Sequence, residues 1–495
     1  VSEPGCIRVG LDKYPGMNRF VLDWLNGDER FLPRVPSPRK RGEGARRAGE
    51  GLINALDQSN RHWGSFVSDE LRRWARGETV TLIAGQQVGF AGGPLYTLAK
   101  IASLIRMKRD LEAEGTPATI FFWLATEDHD YEEVATLHVP VASRQLDLLT
   151  LRATRAVESK AVVGDAKIPE GLVAQLLSLF NIDRPQWLRE GITFRDSFVE
   201  LLVSALDEKI VFVDALLPEL RAAGAPLFDR VRTLWDEVQR EIGTRTRALE
   251  AAGYAPQVTP RDDGEYTLFF RIDENGERHI DRNGISTSAL TRPLLQDFVF
   301  QPDVFIGGPS EIAYYAQIAP LHQLLGVPEP RVALRGHALL GPKRVVRFFD
   351  RFGIRASEVF SNPDAILAER EPQGVAEVHA IANSAREELA KQIARIGEIA
   401  LPAEHALARA INRSIGHIEY HFDKLAERAV RGLVRKDRER YAAIREIVAT
   451  FYPDHHVQDR VVAWFSYWCQ SGSDLVSKLV SEIEPDTPSF KIIPI

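Results

Sequence analysis

Cysteine is scarce in this chain: Cys6 and Cys469 are the only two among 495 residues, far apart and in no Cys-x-x-Cys spacing. That count excludes a disulfide framework and a zinc finger, and leaves reduced thiols as the simplest state. A basic excess is also missing. Lys and Arg number 62 against 69 Asp and Glu, for a formal net charge of −7 and a pI near 6.0, which argues against a nucleic-acid binder. No apolar run approaches the roughly 20 residues that a membrane span needs. The N-terminal VSEPGCIRVG lacks the charged-then-apolar order of a signal peptide, and it begins with Val, which leaves the true start open. Gly-x-Ser-x-Gly and His-Glu-x-x-His are absent as well. What remains is 44 % apolar and 26 % charged residues, the composition of a globular protein. The length is too great for one core and suggests roughly two to four units. The expectation is a soluble, cytoplasmic α/β enzyme without nucleic-acid or membrane partners.

The chain alternates strand and helix patterns. Residues 79–84 are a β-branched run, 85–94 are glycine-rich, and Leu98, Ile101 and Ile105 recur at helical spacing between 95 and 114. A second apolar run at 118–125 completes a strand–loop–helix–strand unit, for which a parallel crossover is expected. Residues 210–214 and 303–306 read as further core strands. Residues 135–200 look inserted, and 266–271 with the Asn275-Gly276 turn reads as a hairpin. Residues 31–38 read as an extended loop and the basic 39–47 as a solvated helix start. Beyond 375, Val378, Ile381, Ala385 and Leu389, then Ile411, Ile415, Ile418 and Phe422, step by three or four around Leu401-Pro402. Two long antiparallel helices with coiled-coil spacing follow, and a lone helical hairpin buries only one stripe, so self-association through this arm is expected.

Three segments carry chemistry. The first is GQQVGFAGGP, with Gly85, Gly89, Gly92 and Gly93 between a strand and a helix. It lacks the Gly-x-Gly-x-x-Gly spacing and the Gly-Lys-Ser/Thr of a P-loop, but glycine lets a ligand approach the backbone and the helix start suits an anion. Gln86 and Gln87 would orient a polar ligand there, with Tyr96 just beyond; Lys100 reads as an exposed lysine. The second is Glu127, Asp128, His129 and Asp130, directly after a strand. A carboxylate beside an imidazole suits general-base work, the same oxygens could hold Mg²⁺, and the bland alternative is acidic residues at a helix start. The third runs from Gly307 and Gly308 through Ser310 and Glu311 to Tyr314 and Tyr315, one tyrosine facing the loop and the other core. Arg292, before Pro293, reads as extended and either clamps a carboxylate or phosphate or forms an ordinary surface salt bridge. His455 and His456 read as a surface pair. Ligands of open parallel sheets bind outside the carboxyl ends of strands, so the first two segments are expected in one crevice.

In order and spacing, GQQVGFAGGPLYTLAK, FFWLATEDHDYEE, SALTRPLLQD and FIGGPSEIAYYAQ resemble the BshC family, the cysteine-adding enzymes of bacillithiol biosynthesis; GYAPQV and FYPDHHVQDR extend the likeness. The resemblance implies a Rossmann-like parallel-sheet core with inserted connecting subdomains and a long antiparallel coiled-coil arm that forms a homodimer. The corresponding plan is core at 1–134, 206–253 and 291–370, connecting subdomains at 135–205 and 254–290, the arm at 371–450, and a C-terminal segment at 451–495. It also implies that cysteine is joined through its carboxyl to the amine of glucosaminyl malate. Gly-His after Arg335 departs from the family and leaves the role of Arg335 open.

Amide formation from a free carboxylate is uphill and calls for activation, so ATP or another nucleotide is expected, with Mg²⁺ as an option. In this reading His129 takes the proton of the attacking ammonium, Asp128 or Asp130 holds its ring, and Glu311 binds the cysteine amino group. A metal-dependent hydrolase or nucleotidyl transferase using Glu127 to Asp130 competes with the ligase, as does a non-catalytic scaffold built on the arm.

Overall fold

The structure, a computed structural model, describes residues 4–34, 48–140, 148–154, 159–368, 374–400 and 407–495. The basic stretch 39–47, part of the loop expected at 31–38, and the turn expected at Leu401-Pro402 lie outside the described residues.

Val80–Gln86 (β1) leads through the glycine-rich turn to Leu95–Ala113 (α1) and then to Ala118–Leu124 (β2). Tyr131–Val134 (α2) is a single turn. Ile210–Asp214 (β3) and Pro218–Thr233 (α3) follow. Beyond a further helix at Trp235–Ala251 lie three short strands: Phe269–Ile272 (β4), Arg278–Ile280 (β5) and Ser286–Thr287 (β6). Thr291–Phe300 (α4), Val304–Gly307 (β7), Pro309–Leu325 (α5) and Arg331–Leu334 (β8) complete the core.

The main sheet has the order β8-β7-β1-β2-β3, and every neighbouring pair is parallel. All seven residues of β2 are buried, because both sheet faces are covered and alternate side chains must be apolar on each. Phe121 packs with Trp74 and Phe300, whereas its neighbour Phe122 packs with Phe198 and Phe212. The chain leaves β1 first toward β2 and β3, and later returns to β1's other edge through β7. The strand order therefore reverses at β1, which is where open sheets of this kind bind ligands.

Smaller sheets surround this core. β4 pairs antiparallel with β5 and with β6, as the Asn-Gly turn led one to expect. Strand 136–140 pairs antiparallel with 148–152. Strand 489–494 pairs antiparallel with 7–10 and parallel with 337–341.

Residues 1–346 with 450–495 form one compact unit, and 347–449 form a second. Within the second, Val375–Ala400 (α6) runs beside Leu407–Phe451 (α7). Gly374 lies against Leu433 and Arg386 pairs with Asp423, so the two helices are antiparallel. Ile381, Ile396, Ile399, Ile418 and Leu425 on them are exposed.

Candidate active site

β1 runs out through Gly85, Gln86 and Gln87, β2 through Ala125 to His129, and β7 through Gly308 into α5. Together with residues of β4, β5 and β6 these ends line a cavity of about 830 Å³. Lys100 ties the end of β1 to the start of α5. It lies on α1 one turn after Tyr96, on the same helix face, and is buried. Its Nζ donates to the Gly85 carbonyl and to Gln86 Oε1, both at 2.8 Å, and pairs with Glu311. Glu311 also accepts the N–H of Gly308 at 2.7 Å, closing the start of α5. Burial lowers the Lys100 pKa, and the Glu311 charge opposes that shift. The exposed lysine expected from sequence is thus corrected. Leu95, Leu98, Ala99, Ile101 and Ala102 around it are buried, so α1 has no solvated face at this point.

Around the β2 loop, Gln87 Nε2 donates to Asp128 Oδ2. Asp128 Oδ1 accepts the backbone N–H of His129 at 2.7 Å and lies 3.4 Å from Nδ1 of the same residue. Burial works against ionisation of Asp128, but hydrogen bonds from His129 and the charge of Arg278 prevail and hold its carboxyl down at about 2. Arg278, on β5, is 3.6 Å from Asp128 and 3.5 Å from His129 Nδ1. It donates to the Thr287 carbonyl at 2.7 Å and stacks 3.9 Å over the Phe270 ring.

Glu127 is buried. Its carboxylate takes four hydrogen bonds: from Arg221 at 2.5 Å, Ser286 Oγ at 2.7 Å, Thr287 Oγ1 at 2.6 Å and the Thr287 N–H at 3.1 Å. Burial pushes its pKa up, but Arg221 and Arg278 outweigh it, and the net shift is downward.

Cations form a second part of the lining. Arg292 donates to Tyr314 Oη at 2.5 Å, Arg335 pairs with Asp459 at 2.9 Å, and Arg460 stands beside them on the cavity wall. Burial pushes the Tyr314 and Tyr96 phenols up, so both remain protonated donors. Gly308 to Ser310, at the start of α5, line the cavity as well and offer the anion preference of a helix N-terminus. Glu133, on α2, also lines it. Its side chain keeps exposed area, yet desolvation by the atoms packed around the carboxyl, then Asp130 and Asp128, push it up to about 7.

The family described as bacillithiol biosynthesis BshC, N-terminal Rossmann-like domain, matches residues 25–285 and 279–336, and the BshC C-terminal coiled-coil domain matches 338–495.

The chain belongs to the BshC family.

Proteins named "Putative cysteine ligase BshC" resemble it along most of its length. The one from Solibacter usitatus is 29 % identical over 461 residues, covering 86 % of each chain. The one from Koribacter versatilis is 29 % identical, covering 83 % of this chain and 82 % of its own. The one from Geobacillus thermodenitrificans is 25 % identical, covering 90 % of each.

In this BshC chain the cavity gathers Gly85, Gln86, Gln87, Tyr96, Glu127, Asp128, His129, Arg292, Gly308, Ser310, Glu311 and Tyr314. Gly89, Gly92, Gly93 and Gly307 are not on its wall. Gly92, at φ +84, accommodates the Trp464 indole, where a Cβ would come within 2.4 Å, and Gly89 abuts Gly93. The second half of the glycine-rich turn serves packing. Asp130 is exposed and caps α2, accepting the Glu133 N–H at 3.0 Å. Arg292 stands in the first turn of α4, which corrects the extended context expected before proline. Pro293 is tolerated there because the first four helical N–H groups have no intrahelical acceptor. Of the tyrosine pair, Tyr314 faces the cavity and Tyr315 is core, bonded to Asp297, which His322 also contacts at 3.0 Å.

A Mg²⁺ site at residues 127–130 does not fit these contacts. Glu127 is saturated and Asp130 is a helix cap. Among the described residues no group of three or more His, Cys, Asp or Glu is disposed to hold a metal. No helix among them is long and apolar enough to cross a membrane.

Glu133, Arg278 and Arg460 were not anticipated as site residues. Glu133 was the legible one, three residues after Asp130 in the same acidic segment. Arg278 and Arg460 arrive from distant sequence with no local signature. Arg335, left open by the sequence, is a buried member of the cationic wall.

Proposed function

We propose that this BshC chain is a ligase that joins the carboxyl of L-cysteine to the amine of glucosaminyl malate, forming bacillithiol in the last step of its biosynthesis. One observation supports this most: a single cavity at the strand ends offers both an ionised acid beside an imidazole, Asp128 with His129, and a wall of guanidinium groups, Arg292, Arg335 and Arg460. The guanidinium groups and the α5 N-terminus suit the two malate carboxylates. Asp128 suits an ammonium group, with His129 and the Gln87 amide orienting it. Relatives named for cysteine ligation point the same way.

ATP or another nucleotide, with Mg²⁺ as an option, would supply the phosphoanhydride that activates the cysteine carboxyl, and the start of α5 at Gly308 to Ser310 would hold its phosphates. The protein's own part is to bind, orient and exclude water. The proposal includes a cytoplasmic enzyme that dimerises through the exposed apolar residues of α6 and α7, an arrangement in which Ile418→Asp with Leu425→Asp would leave a monomer by sedimentation.

Purified protein with cysteine, glucosaminyl malate and ATP should yield bacillithiol by mass spectrometry. Cells lacking the protein should accumulate glucosaminyl malate. Unchanged bacillithiol in such cells, with no second copy present, overturns the proposal.

A further inference from the structure

We infer that Glu133 is the catalytic base that takes the proton from the attacking ammonium, an inference that rests on the amide-forming reaction proposed above. Among the described residues, four carboxylates line the cavity: Glu127, Asp128, Glu133 and Glu311. Three are committed. Glu127 holds four hydrogen bonds. Glu311 is paired with Lys100 and closes α5. Asp128 is held by Gln87 and His129, and a carboxyl held ionised down to about 2 is a poor base. Among the described residues, Glu133 alone of the four has no hydrogen bond or ion pair on its side chain.

The groups facing Glu133 fit the role. Asp130 and Asp128 lie on the loop before α2, and their charges favour the protonated form of Glu133; Lys100 on α1 opposes them. Tyr96, also on α1, is within electrostatic reach. The neighbouring Glu132 is occupied by Arg152 at 2.5 Å. The balance leaves Glu133 with a proton affinity near neutrality, where a base is most useful. His129 has Nδ1 between Asp128 and Arg278, which makes it a positioning group for the amine.

The step is a plain transfer. The ammonium N–H bond breaks, its electron pair stays on nitrogen, and the proton bonds to the Glu133 carboxylate to give the neutral acid. The free amine then attacks the activated cysteine carbonyl. The C–N bond forms as the bond to the activating phosphate group breaks, and that group leaves with the electron pair. The second nitrogen proton passes to solvent.

The test is kcat/KM for bacillithiol formation between pH 5.5 and 9. The wild type should show one acid limb near neutrality. Glu133→Gln should abolish that limb and lower kcat/KM at neutral pH by about 10²-fold or more, with glucosaminyl malate binding by calorimetry retained. Asp130→Asn preserves the α2 cap, since Asn caps as well as Asp, but removes one of the charges raising Glu133, so the limb should move to lower pH. His129→Asn should keep the limb. A limb that persists in Glu133→Gln, or that Asp130→Asn leaves in place, overturns the role of Glu133 while product formation still upholds the ligase. No product from the wild type sinks the ligase reading and this role with it.

Discussion

The ammonium of Lys100 and the carboxylate of Glu311 form a buried ion pair that joins α1, which follows β1, to α5, which follows β7. Removing one partner of such a pair leaves an uncompensated charge. Lys100→Met should therefore cost about 3 kcal/mol in urea unfolding. The double variant Lys100→Met, Glu311→Met should recover part of that loss, a coupling that a double-mutant cycle reads directly. Additive single and double effects would show that the pair contributes nothing specific.

Glu133 gives a stability signature independent of catalysis. Its folded pKa is raised from 4.5 to about 7. A raised carboxyl favours the folded state while protonated, and this contribution fades as pH rises from the ordinary carboxylate value through about 7. Glu133→Gln, which cannot ionise, should match the wild type near pH 4 and become the more stable protein by pH 8. Denaturation curves at the two pH values check the sign.

Asp128 should behave in the opposite sense. Its folded pKa is lowered from 3.8 to about 2, so its contribution is present above the unfolded value and is lost as pH falls through the folded one. The stability gap between the wild type and Asp128→Asn should be widest above pH 5 and narrow steadily toward pH 2. A gap that stays constant across that range would contradict the hydrogen bonds assigned to the carboxylate.

Gly92→Ala tests the packing half of the glycine-rich turn. The new Cβ would meet the Trp464 indole at a left-handed φ, and strain and overlap together should cost about 3 kcal/mol. Thermal unfolding should show a clear fall in midpoint. Trp464→Leu in the same background should restore some of it if the indole is the obstacle.

Much of this protein was legible because its core strands are covered on both faces. Runs such as Ala118–Leu124 must then be continuously apolar, and they stand out from their surroundings. The loops at the strand ends were readable for a related reason: Gln86, Gln87 and Asp128 interrupt apolar patterns just where a chain leaves a sheet. Local pattern failed where a long-range partner decided the outcome. Lys100 is buried with its charge matched because Glu311, more than two hundred residues on, joins the Gly85 carbonyl and Gln86 around its ammonium. Asp130 and Glu127 sit three residues apart in one acidic string, yet one caps a helix in solvent and the other is sealed under Arg221, Ser286 and Thr287. Nothing within the string distinguishes them; residues from a different part of the chain do.

The saturation of Glu127 has a consequence for traffic. A sealed carboxylate gripped by four donors acts as a rivet that holds strand β6, and the small antiparallel sheet it belongs to, against the end of β2. The rim of the cavity is instead where Ser310 and Glu133 are exposed, and a bulky residue placed at Ser310, in the first turn of α5, should hinder entry and binding together.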